Sequence, residues 1–333
     1  MRIACVAFLF SVLSITPIVS QNPEKDSDQS LDSTVLLDPV VLTCYMNPNR
    51  ISINIETLGT FTDGDFAPFW LSNNKFGLGS AENSNQYLRI NSFGNHYFYA
   101  GGSPLNVTMG ADILVSHNMQ SDFNFHQLYA DLKYRNTVFS VGAKERYSLF
   151  KNKLLSSGGM TLSNNARPIP QVEVSIPDFV TVPYTKGYLQ FIGGLSYGWF
   201  GDDKFKKRNA ADGYYAEKVL YHRKYGFLKF EKVPAWSFIV GAEMDTQWGG
   251  RFYHAGEYWD KGSAKLRDFF KVLIPMKGGA ESNLTDRQNI VGNVYGSTHF
   301  IVEHKRKEFS IKAYHEHFFE DHSGMVFKNI PDG

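Results

Sequence analysis

The sequence predicts an all-β fold, an antiparallel transmembrane β-barrel of the outer-membrane type, and three observations carry that reading. First, apolar and polar residues alternate with period two in one segment after another from about residue 51, as in a sheet with one apolar and one polar face. Several of these runs reach the roughly 9–11 residues of a tilted membrane strand, against about 5–6 for an ordinary globular strand. Second, aromatics make up 15 % of the chain (27 Phe, 18 Tyr, 5 Trp), with 29 Gly and a mean hydropathy of only −0.29. An apolar outer band, a polar lumen and aromatic girdles would give such a balance. Third, no apolar run after residue 20 approaches the roughly 20 residues of a spanning helix, so any crossing uses strands. A soluble β-sandwich shares the composition and the alternation; strand length favours the barrel.

The elements follow in order. Arg2, the apolar run Ile3–Ile15 and the small-residue end at Ser20 have the layout of a secretory signal peptide over residues 1–20. Cleavage there leaves Cys44 as the one cysteine, which excludes an intramolecular disulfide. Residues 21–50 read as a polar N-terminal arm or linker, with an unassigned apolar patch at Val35–Val41. The barrel is expected over 51–333. In 107–115, Val107, Met109, Ala111, Ile113 and Val115 share one face; in 126–134, Leu128, Ala130, Leu132 and Tyr134 do so. Runs at 188–199 and 236–244 alternate in the same way, and others lie near 86–99, 137–146, 219–230, 298–304 and 309–319. Within Ser263–Leu273 the period changes: Leu266, Phe269, Phe270 and Leu273 have helical spacing, with Ser263 as N-cap. Pro275 and Gly278-Gly279 end this helix, which lies in a long loop over about 254–292 with its apolar face on the barrel rim.

The stretch 154–183 departs most from simple alternation. A Ser-Gly-Gly turn, the polar step Asn164-Asn165-Ala166-Arg167 and two prolines lead into a short alternating strand. Around it stand Asp65-Phe66-Ala67-Pro68-Phe69-Trp70-Leu71, Asn74-Lys75-Phe76-Gly77-Leu78, His126-Gln127-Leu128-Tyr129-Ala130-Asp131-Leu132, Lys144-Glu145-Arg146, Tyr221-His222-Arg223-Lys224, Gln247-Trp248-Gly249-Gly250 and Glu320-Asp321-His322. Together these resemble the capsule-assembly (Wzi-type) outer-membrane proteins, in the form found in Bacteroides-like bacteria. The resemblance covers most of residues 55–330. It implies an outer-membrane barrel that acts like a lectin, helping exported polysaccharide attach to the cell surface. The chain stops at Asn329-Ile330-Pro331-Asp332-Gly333 where that family continues into further strands. It is therefore expected to be a fragment, its barrel incomplete at the C-terminus, since an open edge is not tolerated in lipid.

Candidate site residues are few. Asn165 and Arg167 offer amide and guanidinium groups to hydroxyls and acidic sugars; a turn or constriction, with Arg167 on carbonyls or lumen carboxylates, is the alternative. Trp248 and Arg251 place an indole and a cation beside Gly249-Gly250, for sugar stacking or for an interface girdle. His315 and His317 share a strand face and could chelate, but read better as polar lumen or interfacial residues; no metal and no cofactor is assigned. The charged run Lys206-Lys207-Arg208 reads as a solvated loop tip. A net charge of +1 gives no reason to expect nucleic acid. No pair of carboxylates stands out for glycoside hydrolysis, and no Gly-Xaa-Ser-Xaa-Gly, phosphate loop or His-Glu-Xaa-Xaa-His occurs. The expected protein is a monomeric, non-enzymatic outer-membrane barrel whose partners are surface polysaccharide and lipopolysaccharide. A porin-like solute channel and an outer-membrane glycan-active enzyme are the alternatives.

Overall fold

A computed structural model describes residues 40–46, 51–100, 103–153, 155–274 and 292–320. Its elements are β1 (Val40–Met46), β2 (Ile51–Phe66), α1 (Phe69–Ser72), β3 (Glu82–Ala100), β4 (Ser103–His117), β5 (Phe123–Tyr134), β6 (Thr137–Ala143), β7 (Gln171–Thr181), β8 (Leu189–Trp199), α2 (Asp203–Asn209), β9 (Tyr215–Phe230), β10 (Trp236–His254), β11 (Glu257–Lys261), α3 (Leu266–Leu273), β12 (Asn293–Lys305) and β13 (Ser310–Glu320). All thirteen strands form one antiparallel sheet in which sequence neighbours pair, β11 flanking the far end of β10. β1 and β13 end the path, and the sheet is not closed among the described residues. No helix among them is long and apolar enough to cross a membrane.

The all-β antiparallel expectation holds, and each alternating run lies on a strand. The sheet begins earlier than expected: β1 lies inside the anticipated arm and pairs with β2 from Val40↔Thr57 to Met46↔Ile51. Val40-Val41-Leu42-Thr43-Cys44-Tyr45-Met46 is rich in β-formers between Pro39 and Asn47-Pro48, turn chemistry at both ends. The signal peptide, the helix stop at Pro275 to Gly279 and the chain end lie outside the described residues.

Alternation sorts the strands into two faces. Leu88, Ile90, Met109, Leu128, Val141, Val174, Val240 and Phe300 are exposed on the outer one. Near one end of the strands that face carries Phe98, Tyr134, Phe230 and Trp236, and near the other Phe61, Phe125 and Trp199, all exposed. From Phe125 to Tyr134 the chain climbs about 30 Å at roughly 3.3 Å per residue. With strand tilt this matches an apolar band of about 25 Å between two aromatic girdles.

The two ends differ. At the first, strands join through short turns such as 135–136, 182–188, 231–235 and 306–309. At the second lie the long connections 67–81, 144–170 and 200–214, and residues 255–274 after β10. Residues 144–170 fold back along the concave inner face. Phe150 meets Phe227 of β9 edge-on at 4.9 Å, against the buried cluster Ile192, Phe227, Ile239 and Ile301. Lys312 of β13 donates to the Phe150 carbonyl at 3.0 Å, and Lys151 pairs with Glu316. At its start the same segment holds β3 and β5 through Glu145, as described below. It therefore crosses the inner face and touches strands near both ends of the sheet.

Candidate functional site

A strand defect anchors the inner segment. In β5 the register runs Asp112↔Gln127 and then Ile113↔Phe125, so His126 is an extra residue. The bulge turns both His126 and Gln127 inward, and both are buried. Strict alternation would have put His126 on the outer face. His126 Nε2 lies 2.8 Å from Glu145 Oε1, and the Glu145 N–H donates to Gln127 Oε1 at 2.9 Å. Arg89 completes the cluster, reaching Asp112 at 2.6 Å, Glu145 at 3.1 Å and Glu56 at 3.2 Å.

The Ser-Gly-Gly stretch is a small hairpin at the far end of this segment. Gly158 bridges Ser163, and Asn164 donates from its side chain to Ser156 O at 2.9 Å. The 67–81 loop folds over it. The Phe76 N–H bonds Asn164 O at 2.7 Å, and the Phe76 ring stands edge-on to Tyr147 at 4.9 Å. Asn165 clamps the two loops: its Oδ1 accepts from the Asn74 N–H at 2.6 Å, and its Nδ2 donates to Asn73 Oδ1. Its amide is thus committed to the protein.

Between these loops and the sheet lies a small cleft lined by Phe76, Lys144, Arg146, Arg167, Gln171, Tyr221 and Arg223 together with apolar loop residues. Four lining side chains are cationic and none is acidic. Three have a counter-ion behind the wall: Lys144–Asp131 at 2.7 Å, Arg146–Glu173 at 2.8 Å and Arg223–Glu243 at 2.9 Å. Among the described residues Arg167 has no ion pair. Burial pushes its guanidinium below the ordinary arginine value, and the field of Asp202 opposes that. Arg146 Nη2 and Arg223 Nε are buried without a hydrogen-bond acceptor among the described residues. Desolvated donors short of acceptors favour an incoming anion. Gly77 shapes the cleft. It sits at φ 78, and a Cβ there would lie 2.3 Å from Arg167 Cγ, so the arginine stem rests on bare backbone.

Of the four sequence candidates, only Arg167 lines this cleft. Asn165 braces the loop that carries it. Trp248 is only 2 % exposed, under Phe269 and Val272 of α3. It therefore offers a sugar no face for stacking, and it is not an exposed girdle residue either. Arg251 is exposed on the extension of β10, opposite Glu217 of β9 and Lys261 of β11. Lys144, Arg146, Gln171, Tyr221 and Arg223 were missed. Their signal was weak: Tyr221 and Arg223 fall on the polar side of an alternating strand, and Lys144 and Arg146 flank a glutamate.

Two inner clusters have metal-like geometry, Asp112/His126/Glu145 and Glu243/His299/Glu316, with ligand atoms within 4.8 Å of one another. In both, basic side chains already supply the positive charge: Arg89 in the first, Arg223 and Lys151 in the second. His315 and His317 are exposed on edge strand β13 opposite Phe300 and Thr298, on the outer-face side rather than in the lumen. Lys206 to Arg208 lie on the unexpected helix α2, where Lys206 pairs with Asp202 at 2.9 Å and Arg208 donates to Gln120 O at 3.0 Å.

The profile of one protein family, described as capsule assembly protein Wzi, matches residues 70–333. The chain belongs to that family. Membership ties it to capsule assembly and confirms the resemblance carried by the residues quoted above. The match includes residues 70–81 of the first interlocking loop and all of the second, the bulge at His126 and every residue named in the cleft. No curated protein and no solved structure matched the chain significantly.

Proposed function

We propose that this protein is a non-enzymatic outer-membrane barrel that holds acidic surface polysaccharide at its long-loop end during capsule assembly. The observation that carries this reading is the cationic cleft, in which, among the described residues, Arg167 has no ion pair and no acid lines the wall. A carboxylate on a sugar supplies the missing charge, and a planar guanidinium pairs with it in bidentate fashion. Short turns at one end and long loops at the other resemble the periplasmic and extracellular ends of outer-membrane barrels, which supports a cleft on the cell exterior. The two girdles and the exposed apolar face support placement in a membrane. A segment crossing the inner face favours a binding protein over an open channel. Interior carboxylates held by Arg89, Arg146, Arg223 and Lys151 suit scaffolding better than acid–base hydrolysis.

Arg167→Glu in the native gene is expected to release capsule into the medium. In purified protein it should weaken binding of the strain's own capsular polysaccharide by about ten- to a hundredfold, the scale of one charged hydrogen-bonded contact of about 1.5–3 kcal/mol. Polysaccharide whose carboxyls have been reduced to alcohols should bind the unaltered protein as weakly as native polysaccharide binds the variant. Unchanged capsule retention together with unchanged affinity would sink the reading. Gly77→Ala adds no charge but displaces the Arg167 stem, and a smaller loss in the same direction is expected in that assay.

A further inference from the structure

Helix α3 lies on the outer face of the sheet. Phe269 and Val272 cover Trp248, Leu220 and Tyr197, and the Tyr197 hydroxyl donates to Phe269 O at 2.7 Å. Lys224 Nζ caps the C-terminal turn, donating to Val272 O at 2.8 Å and Leu273 O at 2.6 Å. Tyr197, His222 and Thr246 are directly paired in register, and Lys224, Leu220 and Trp248 lie two residues away on the same side of their strands. That side also carries Leu195, Leu228 and Val240, which are exposed. Beneath the helix the outer face is therefore partly polar, with His222 at 0 % and Thr246 at 1 % exposure. The sequence placed the helix's apolar face on the barrel rim. The structure divides that face: Phe269 and Val272 pack on the sheet, while Leu266, Phe270 and Ile274 are 76, 64 and 66 % exposed. These three recur every fourth residue and form one stripe away from the sheet. Arg267 and Lys271 lie along one flank of the stripe, and Arg267 is exposed. The N-terminus is fixed independently, Ser263 Oγ and the Lys265 N–H both bonding the buried Asp268 carboxylate. Ser263 thus braces the helix start, and the N-cap position falls at Lys265.

We propose that α3 is an interfacial anchor seated in the outer leaflet, with Leu266, Phe270 and Ile274 in the acyl region and Arg267 and Lys271 on the phosphates of anionic glycolipid. The inference rests on the outer-membrane reading above. Two further observations select a lipid surface as the occupant. The helix roofs polar side chains just where the apolar outer face gives way to the long-loop end, beside the exposed girdle residue Trp199. An apolar stripe flanked by cations is complementary to acyl chains below anionic headgroups. Held at the boundary, the helix would set how far the long-loop end stands above the membrane.

Nitroxide labels test this on the full chain reconstituted in phosphatidylcholine vesicles containing lipid A, with Cys5 and Cys44 replaced by Ser. Labels are placed through Phe270→Cys, Val240→Cys for the outer face of the strands and Lys207→Cys for the exposed helix α2. The label at 270 is expected to collide with oxygen several times more often than with a water-soluble nickel chelate, as the label at 240 does, and the label at 207 to show the reverse. Adding Arg267→Glu and Lys271→Glu should move the 270 label toward the aqueous pattern. If 240 is in lipid and 270 behaves like 207, the anchor is refuted while the membrane reading stands. If 240 itself is aqueous, the membrane reading fails first. An unchanged 270 label in the charge-reversed variant overturns the phosphate contact.

Discussion

Arg89→Met is expected to lower stability by about 3–5 kcal/mol, the cost of removing one partner from a buried ion cluster. Among the described residues Arg89 is the sole arginine paired with Glu56 at 3.2 Å, Asp112 at 2.6 Å and Glu145 at 3.1 Å, and Asp112 is wholly buried. Without it three carboxylates face one another inside the sheet. The damage should extend beyond β3, since Glu145 begins the segment that crosses the inner face. Urea unfolding of reconstituted protein gives the magnitude, and protease sensitivity of residues 144–170 shows whether the segment has come loose. Arg89→Lys keeps the charge but not the planar fork that reaches several carboxylates, so an intermediate loss is expected. Adding Asp112→Asn to Arg89→Met should recover part of the stability. Strict additivity of the two losses would show that the ion cluster is not the cause.

The strands and their faces were legible because a two-residue period is local. Val107, Met109 and Ile113 face outward whatever lies across the sheet. Three kinds of feature were not legible. The inward turn of His126 depends on one unpaired residue between β4 and β5, and its trace, a phase shift from Phe123 and Phe125 to Leu128 and Leu132, does not show when 126–134 is read alone. The place of Trp248 depends on α3 returning to the outer face. The spacing of Leu266, Phe269, Phe270 and Leu273 gave a helix but not which side would be covered. The cleft draws on Phe76, Lys144 to Arg146, Arg167 to Gln171, and Tyr221 with Arg223, separate segments that only the fold-back of 144–170 brings together. Arg167 was singled out because its guanidinium suits hydroxyls and acidic sugars. Asn165 was chosen for its amide, which instead serves to join two loops.

The residues that carried the family resemblance are largely those that meet inside the sheet. Phe76 touches Asn164 and Tyr147, Gly77 bears the stem of Arg167, and Glu145 joins His126 to Arg89. A segment crossing an interior must match several strands at once, so its sequence is constrained in a way that an outward-facing valine is not. That accounts for a recognisable stretch with no catalytic motif in it. Its side chains are chosen for fit to the walls, and only Arg167 and its cationic neighbours are turned toward a possible ligand.

The same fit makes the segment a stopper, and loosening it should convert a silent protein into a conducting one. In planar bilayers the unaltered full-length protein is expected to show no lasting open level, because 144–170 crosses the inner face of the sheet from β3 to β13. At its deep end the segment is held by the Phe150 ring against Phe227 at 4.9 Å, by Lys312 on the Phe150 carbonyl at 3.0 Å and by the Lys151–Glu316 pair. Phe150→Ala with Lys151→Ala removes the ring and one charge, for about 3–5 kcal/mol of lost packing plus an unpaired Glu316. The upper anchors at Glu145 and Arg146 stay in place, so the strands should remain folded while the deep end swings free. Discrete openings in the double variant, with heat-modifiable migration on gels retained, are the expected result. The cells should also become more sensitive to large antibiotics. A double variant as silent as the parent would mean that the lumen is closed by something other than this segment. Steady conductance in the parent would favour the channel reading over the binding one.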